Sequence, residues 1–357
     1  MKKVLWMLIA ASSVCVWPTA APAQFSVTNL VSDGSVPAVT IDPNLVNAWG
    51  ISLSPTGPFW IANNGTGTST LYDGDGVPQP PGNPLVVSIP PADSAPTGTA
   101  FYGGNGFVVS EGPKKGPSRF LFVTEDGVIS GWSPGVDFTN AITAIDNSAS
   151  GASYKGCAMA KLGQDDALFA TNFAARRVEV YDHKFRLVRT FTDPRVPSDF
   201  SPFGIANVRG FLVVTFAKRD PDTGDDIHGP GNGFVDLFRP NGVLVRRLVS
   251  HGVLNSPWGI ALAPSDAFGK FHGALLIGNF GDGTINAFRF GNGAYLGTLS
   301  DENDEPIVID GLWGLSFGNG VMSDEDDLYF TAGPDDEQHG LFGEIALEQG
   351  RDDSVKR

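Results

Sequence analysis

Six glycines, each followed by a small or apolar pair, recur along this chain at the start of a short apolar segment. They occur in the pairs Trp49-Gly50, Thr97-Gly98, Lys155-Gly156, Phe203-Gly204, Trp258-Gly259 and Trp313-Gly314. Successive glycines are 48 to 58 residues apart, a period that suits a four-stranded blade with its loops and exceeds that of most helical or leucine-rich repeats. The repeat therefore predicts an all-β, six-bladed β-propeller with a central channel.

Further strand-like segments follow each glycine motif and complete a four-stranded blade, except in the last repeat. Segments such as Phe59–Ala62 and Ser69–Tyr72 have the length, the alternation and the composition of strands. The sixth repeat lacks an outer strand, whereas residues 25–33 resemble the outer strands of the other repeats. We expect this N-terminal strand to pair within the last blade and close the ring, because that pairing would remove two exposed sheet edges.

The first 23 residues have the layout of a secretory signal peptide. Lys2 and Lys3 precede an apolar run from Val4 to Trp17, and an Ala-x-Ala signal ends at Ala23. The run is shorter than the roughly 20 residues that a transmembrane helix needs. We therefore expect cleavage before Gln24, a secreted or periplasmic protein, and no membrane insertion afterwards. Residues 24–349 would then form the propeller, and residues 350–357 a charged tail.

The charge of the chain excludes some partners. Its net charge is −15, and it becomes more negative when the two lysines of the leader are removed. Such a surface repels nucleic acid and anionic lipid, whereas cations are plausible partners. Cys157 is the one cysteine that remains after cleavage, so no internal disulfide is expected, and its place beside Gly156 suits a small buried residue. We expect a monomer.

Two resemblances follow from these motifs. The Pro-x-Gly-Ile-Ala starts at residues 202–206 and 257–261 resemble NHL-type propeller repeats. Residues 47–51 (Asn-Ala-Trp-Gly-Ile), 63–67 (Asn-Asn-Gly-Thr-Gly) and 225–236 (Asp-Asp-Ile-His-Gly-Pro-Gly-Asn-Gly-Phe-Val-Asp) resemble an uncharacterised family of secreted bacterial β-propellers, some members of which have PEP-CTERM tails. This resemblance implies the fold and export but no activity.

The residues that precede the six glycines should surround the mouth of the channel, where all first strands start. Four are aromatic (Trp49, Phe203, Trp258, Trp313), and the others are Thr97 and Lys155. They could stack a sugar or another planar ligand, with Lys155 holding an anionic group. The alternative is that the aromatic rings pack between blades. Lactonases of the gluconolactonase type resemble this repeat organisation and carry metal ligands at these positions, but none of the six residues is Asn, Asp, Glu or His.

A second ring is expected where the second strands end. It consists of Asn63, Thr124, Asn172, Thr215, Asn279 and Thr331. The asparagines Asn63, Asn172 and Asn279 could bind a ligand on the axis or coordinate a cation. The alternative is hydrogen bonding to the backbone of nearby turns.

An acidic insertion in the fourth repeat is a candidate calcium site. Asp220, Asp222, Asp225 and Asp226 lie close together around Gly224, and alternating carboxylates at a turn supply the oxygen ligands that calcium needs. The match to a known calcium loop is only partial. A solvated acidic loop is the alternative.

Two functions are consistent with these features. The first is a binding or scaffold propeller, stabilised by calcium, that takes a small molecule, a carbohydrate or a protein at its loop face. The second is a metal-assisted hydrolase or lyase with its site at the channel mouth. The sequence contains no recognisable pair of nucleophile and base, which favours binding over catalysis. Whether the protein is an enzyme stays open at this point.

Overall fold

The computed structural model describes residues 24–348, and its strands form six blades around a central axis. The predicted signal peptide and the charged tail lie outside the described residues. From the axis outwards, blade 1 consists of β3 (Ala48–Leu53), β4 (Phe59–Asn63), β5 (Thr68–Tyr72) and β6 (Val86–Ser88). Blade 2 consists of β7 (Pro96–Phe101), β10 (Phe120–Thr124), β11 (Val128–Trp132) and β12 (Ile142–Asp146). Blade 3 consists of β13 (Tyr154–Leu162), β14 (Asp165–Asn172), β15 (Arg177–Asp182) and β16 (Leu187–Phe191).

Blades 4 to 6 repeat this antiparallel order. Blade 4 consists of β17 (Phe200–Val208), β18 (Phe211–Lys218), β19 (Gly233–Phe238) and β20 (Leu244–Ser250). Blade 5 consists of β21 (Pro257–Leu262), β22 (Ala274–Asn279), β23 (Ile285–Arg289) and β24 (Tyr295–Thr298). Blade 6 consists of β25 (Leu312–Phe317), β26 (Leu328–Ala332), β27 (Leu341–Leu347) and β1 (Phe25–Ser32). The predicted six-bladed β-propeller is confirmed.

Short elements fill the connections. Strand β2 (Thr40–Ile41) pairs in parallel with β1, and a hairpin of β8 (Val108–Glu111) and β9 (Lys114–Pro117) is inserted in blade 2. The helical elements of residues 24–348 are 3-10 turns at Asn64–Thr66, Ser148–Ser150 and Gly269–Phe271. Helices of three residues are far too short to cross a bilayer, and none of those described meets that requirement.

The N-terminal strand closes the ring, as predicted. β1 pairs antiparallel with β27 from Phe25 opposite Leu347 to Ser32 opposite Leu341, with one bulge after Asn29. Phe25 is buried against the ring of Phe268 at a centroid distance of 4.6 Å. The strand thus joins the two ends of the described chain in one sheet and adds a side chain to the core between blades 5 and 6.

Six apolar cores lie between neighbouring blades, and this arrangement changes the pattern of the second strands. Every residue of β4, β10 and β26 is buried, because these strands are covered on both faces. The alternation expected from the sequence is replaced there by continuous apolar runs, which are typical of strands without a solvent-facing side.

The repeat glycines set the distance between blades at the axis. A Cβ added at Gly259 would lie 2.6 Å from the Trp313 carbonyl oxygen, and one at Gly98 would lie 2.6 Å from the Cys157 nitrogen. Approaches of 2.1 to 2.8 Å to the backbone of the next blade occur at Gly50, Gly204 and Gly314, and the approach at Gly156 is looser at 3.2 Å. Each glycine therefore leaves room for the backbone of the following inner strand.

Truncating Phe25 tests the closure of the ring. We expect Phe25→Ala to lower the free energy of unfolding by about 3–5 kcal/mol, because it leaves a cavity in a fully enclosed site. Val27→Ala on the same strand is the control, since Val27 is 43% exposed and its loss should stay within about 0.5 kcal/mol. Urea unfolding measures both, and equal losses would show that β1 contributes no core packing.

A methyl group at a repeat glycine tests the close approach of the inner strands. Gly204→Ala directs its Cβ at the Trp258 carbonyl, so we expect a loss of stability of about 1–3 kcal/mol or more. At Gly135 an added Cβ meets nothing within 4 Å, and Gly135→Ala serves as the matched control. Thermal melting of the two variants should differ clearly, and a Gly204→Ala protein as stable as its parent would contradict the constraint.

Candidate functional site

The aromatic residues before the repeat glycines meet on the axis and fill it. Trp49 stacks on Trp313 at a centroid distance of 3.6 Å, and Trp313 stacks on Phe280 at 3.7 Å. Phe173, Phe203 and Trp258 complete this cluster, which we call the aromatic plug. The plug closes the axis at the loop face, defined as the face where first strands start and second strands end.

Burial within the plug decides which rings a ligand can reach. Trp49 and Trp313 are each 1% exposed and Phe203 is fully buried, whereas Trp258 is partly exposed. The stacked faces of Trp49 and Trp313 leave no room for a ligand between them. Trp49, Trp313 and Phe203 therefore pack between blades, as the alternative to a ligand surface expects. A ligand could still stack on Trp258 without opening the plug.

Sequence reasoning missed two members of the plug. Phe173 and Phe280 directly follow Asn172 and Asn279 at the ends of second strands. The repeated Asn-Phe pair in blades 3 and 5 was the signal that could have identified them.

The two polar residues of the predicted mouth are also held inside the protein. The Thr97 hydroxyl donates to the Tyr154 carbonyl oxygen at 2.8 Å and so ties blade 2 to blade 3. The Lys155 ammonium group forms a very short ion pair with Glu125 and lies 5.3 Å from the centroid of the Trp49 ring. Because Lys155 is 6% exposed, its charge is neutralised by Glu125 rather than presented to solvent.

The second ring predicted from the sequence is buried, and its polar groups have protein partners. The Asn63 amide donates to Thr70, the Asn172 amide to Glu179, and the Asn279 amide to the Val253 carbonyl oxygen at 2.7 Å. The Thr331 hydroxyl donates to the Trp49 carbonyl oxygen at 2.5 Å. Of these amide donations, only that of Asn279 to Val253 goes to backbone, as the hydrogen-bonding alternative expects, whereas those of Asn63 and Asn172 go to side chains. Binding of a ligand by these asparagines stays an untested prediction.

A polar layer covers the plug on the loop-face side. The Trp313 indole donates to Asn47 Oδ1 at 2.9 Å, and Asn47 Nδ2 donates to Glu337 Oε2 at 2.6 Å. Asn64 connects the same network to Glu125 at 3.0 Å. Blades 1, 2 and 6 thus contribute to one hydrogen-bonded chain on the axis.

Glu337 is a buried carboxyl of this layer with a raised pKa. Burial raises the pKa of Glu337, the hydrogen bond from Asn47 and the charge of Lys155 lower it, and the nearby charges of Glu125 and Asp226 raise it further. Asp335, Asp336 and Glu337 all have positive φ angles, between 52° and 66°. Three successive non-glycine residues in this region store backbone strain, which is frequent at functional sites.

A cavity of ≈ 410 Å³ opens beside the polar layer, and we call it the mouth pocket. Its side walls come from the insertion of blade 4 and from loops of blades 5 and 6. The lining residues with functional side chains are Asp225, Asp226, His228, Phe280, Asp282, Asp310, Asp336 and Glu337. The pocket therefore combines carboxylates, one imidazole and the edge of the aromatic plug.

Asp226 positions the imidazole of this pocket. Its Oδ2 lies 3.3 Å from His228 Nε2 and forms no hydrogen bond with the described residues, and its side chain is only 8% exposed. The Asp226 carboxylate 3.3 Å away raises the pKa of His228, and the charges of Glu337 and Asp282 add to this effect. His228 consequently carries a proton to a higher pH than an isolated imidazole.

The four predicted calcium ligands do not converge. Asp220 Oδ1 accepts the backbone N–H groups of Asp222 and Thr223, Asp222 and Asp225 face solvent, and Asp226 turns toward the mouth pocket. Across residues 24–348, no group of three or more His, Cys, Asp or Glu side chains is arranged to hold a metal ion. Calcium binding by this loop is untested and stays a prediction.

Cys157 is buried, as expected from its place in the inner strand. Burial raises the pKa of its thiol to about 12. A thiol with so high a pKa is a poor nucleophile at neutral pH.

Two curated relatives are similar to the chain over most of its length. The chain is 33% identical over 339 residues to uncharacterized protein R648 of Acanthamoeba polyphaga mimivirus, a match that covers 93% of this chain and 82% of the relative. It is 33% identical over 347 residues to uncharacterized protein L690 of the same virus, covering 93% of this chain and 88% of the relative. The chain matches no protein-family model.

Solved structures resemble the chain in fold at low sequence identity. A streptogramin B lyase superposes with a TM-score of 0.52 at 15% identity, covering 91% of this chain and 98% of that one. A catalytically inactive virginiamycin B lyase from Staphylococcus aureus with quinupristin gives 0.52 at 14% identity, covering 91% and 100%. A glucose dehydrogenase gives 0.50 at 14% identity, covering 90% and 100%. Such likeness concerns the propeller fold alone.

Removing Glu125 tests whether the stability of the protein depends on the counterion of the buried Lys155 ammonium group. We expect Glu125→Ala to lower the free energy of unfolding by about 2 kcal/mol or more, because it leaves a buried charge without its counterion. Adding Lys155→Met should restore much of that loss, because an apolar side chain suits the aromatic surroundings.

The surface pair of Lys161 and Asp166, whose atoms are 2.7 Å apart, is the matched control for that experiment. Asp166→Ala should cost only about 0–1 kcal/mol. Urea unfolding of the parent and the three variants gives the comparison, and a double variant no more stable than Glu125→Ala would contradict the interpretation.

Proposed function

Since this chain belongs to the β-propeller family of the mimivirus proteins R648 and L690, whose names assign no activity, we propose a function from the geometry of its loop face. The protein is a binding module, and its mouth pocket takes a small ligand that carries a positive charge. The family membership itself supports the fold. Bacterial origin, export, a PEP-CTERM relationship and a monomeric state stay predictions.

The charge of the mouth pocket is the observation that carries this proposal. Within residues 24–348, six of its lining residues are Asp or Glu, one is His, and none is Lys or Arg. A cleft with carboxylates of one sign and low-dielectric walls concentrates cations and repels anions. Lys155 does not alter this balance, because it is buried below the pocket and paired with Glu125.

Asp226 strengthens the attraction. Its carboxylate is almost fully buried, and one of its oxygens has no hydrogen bond among the described residues. A buried charge without full compensation is costly, so a cation in the pocket stabilises it. At low pH, protonation gives His228 a positive charge and removes the negative charge of Glu337, and both changes weaken the attraction for a cation.

The wall of the pocket also favours a ligand with a flat apolar part. Phe280 is partly exposed and lies with its ring edge-on to His228 at a centroid distance of 5.0 Å. Its stacking on Trp313 holds the ring in place. Aromatic surface with a few convergent polar groups is the usual composition of a small-molecule site.

Other occupants predicted from the sequence belong to the same proposal as alternatives. A carbohydrate or a protein could use the loop face, and calcium could bind through Asp220, Asp222, Asp225 and Asp226. Calcium is a cation, so the titration described below includes it as a competing ligand.

An enzyme that uses acid and base groups of the pocket is the second candidate function. His228 is held by Asp226, and Glu337 has a raised pKa in the same cavity. A protonated imidazole and a carboxylate facing one cavity are the minimum for proton transfer in a hydrolase or lyase. The mouth pocket would then be the active site rather than only a binding site.

Three ligands with the same ring and different charges test the binding function. Calorimetric titration of the protein with benzylamine, benzyl alcohol and benzoate compares a cation, a neutral molecule and an anion. We expect benzylammonium to bind tightest and benzoate not to bind. Its affinity should fall as the pH is lowered from 8, because His228 and Glu337, whose pKa values are raised, take up protons at a higher pH than an isolated imidazole and an isolated carboxyl do.

Substitutions locate the site of that binding. Asp282→Asn should weaken benzylammonium binding about fivefold or more, whereas Asp266→Asn, an exposed residue outside the pocket, should leave it unchanged. Equal affinity for benzylamine and benzyl alcohol would refute the proposal. Calcium would be identified as the occupant if it displaces benzylamine and raises the melting temperature of the parent but not that of Asp225→Ala.

A further inference from the structure

The axis contains a second cavity on the other side of the aromatic plug. It has a volume of ≈ 400 Å³ and is lined by inner-strand residues of all six blades. The wall starts at Gly50, Gly98 and Cys157, directly beyond the plug, and ends at the partly exposed Leu53 and the exposed Asn207. This axial channel is therefore closed at the loop face and open at the opposite face.

The chemistry of the axial channel differs from that of the rest of the surface. In the part of the chain that the structure describes, no Asp, Glu, Lys, Arg or His lines it, although the whole chain has a net charge of −15. Most of the wall is apolar and includes Ile51, Ile205, Ile260 and Leu315. An uncharged cavity of this kind excludes ions, because they would lose their hydration without gaining a counterion.

Trp258 places an aromatic surface in this channel. It is the partly exposed indole of the plug, and it lines the axial channel rather than the mouth pocket. Its Nε1 donates to the Lys155 carbonyl oxygen at 2.8 Å, so the orientation of the ring is set by a hydrogen bond. Packing against Trp49 and Trp313 at edge-on angles supports it from behind.

Two hydroxyl groups on lining residues lack partners. Ser52 Oγ and Thr99 Oγ1 are buried in the wall and form no hydrogen bond with the described residues. Leaving a buried hydroxyl unsatisfied costs about 1–3 kcal/mol. A rotation of either short side chain toward a polar atom in the channel would remove that cost.

We propose that the axial channel binds a small uncharged molecule with a flat apolar part and one hydrogen-bonding group. The molecule enters from the face opposite the loops, stacks its apolar part on Trp258 and presents its polar atom to Ser52 or Thr99. This site is separate from the mouth pocket, because the aromatic plug lies between them. It selects for neutral ligands, whereas the mouth pocket selects for cations.

Two fluorescent probes with similar aromatic rings test the channel. N-phenyl-1-naphthylamine is neutral, and 8-anilinonaphthalene-1-sulfonate is an anion. We expect the neutral probe to bind at one site with energy transfer from tryptophan, and the anionic probe to bind at least tenfold more weakly. Trp258→Phe should reduce the energy transfer while leaving a binding site.

Variants on the two sides of the plug show which of the two cavities binds each probe. Ala206→Phe places a large ring in the channel wall and should weaken the neutral probe at least tenfold without changing benzylammonium binding. Asp282→Asn in the mouth pocket should leave the neutral probe unaffected, so failure of one site is distinguishable from failure of the other. If Ala206→Phe does not fold, the two-probe comparison on the parent decides. Absence of saturable binding of the neutral probe, or equal binding of both probes, would overturn the proposal.

Discussion

The close approach of six inner strands at their glycines is the constraint on which the rest of the molecule depends. At Gly98, Gly259 and Gly314, an added Cβ would lie 2.6 to 2.8 Å from the backbone of the next blade. Two threonine hydroxyls of second strands then reach across to carbonyl groups of the neighbouring blade, Thr171 to Phe203 at 2.7 Å and Thr331 to Trp49 at 2.5 Å. Because the strands are so close, the axis is narrow enough to be filled by a few side chains.

The aromatic plug is the consequence of that narrowness, and it divides the axis into two environments. On one side, Asn47 and Glu125 extend a polar layer toward a pocket of carboxylates. On the other side, the channel has an uncharged wall that begins beside Trp258. A stack of rings 3.6 to 3.7 Å apart contains no space for water or ligand, so the two sides can recognise different chemistry. The buried ion pair of Lys155 and Glu125 is where the polar side meets the plug.

Much of the fold could be predicted from the sequence, but less of the candidate site. The glycine period predicted the six blades, and the missing outer strand of the last repeat predicted the role of residues 25–33, because both are periodic patterns along the chain. The four aromatic residues predicted at the mouth meet in one cluster, yet their exposure was not predictable. Asn47, Glu337 and Asp226 come from different blades and meet only after closure. Phe280 lies in the wall of the mouth pocket and is held there by its stacking against Trp313. The spacing of residues along the sequence does not predict this contact.

By itself, the sequence determined the architecture, the closure of the ring and the acidic balance of charge, because these follow from repetition and composition. Only the tertiary structure decided which side of each residue is accessible. Whether Trp49 and Trp258 form a ligand surface or a core depends on how six blades converge, and the result differs between them: Trp49 is enclosed and Trp258 faces the channel. The carboxylates of the mouth pocket likewise acquire their shared field only when loops of blades 4, 5 and 6 are brought together. The physical reason is that exposure and electrostatic coupling depend on distances in space, and residues such as Asp226 and Glu337 are far apart along the chain.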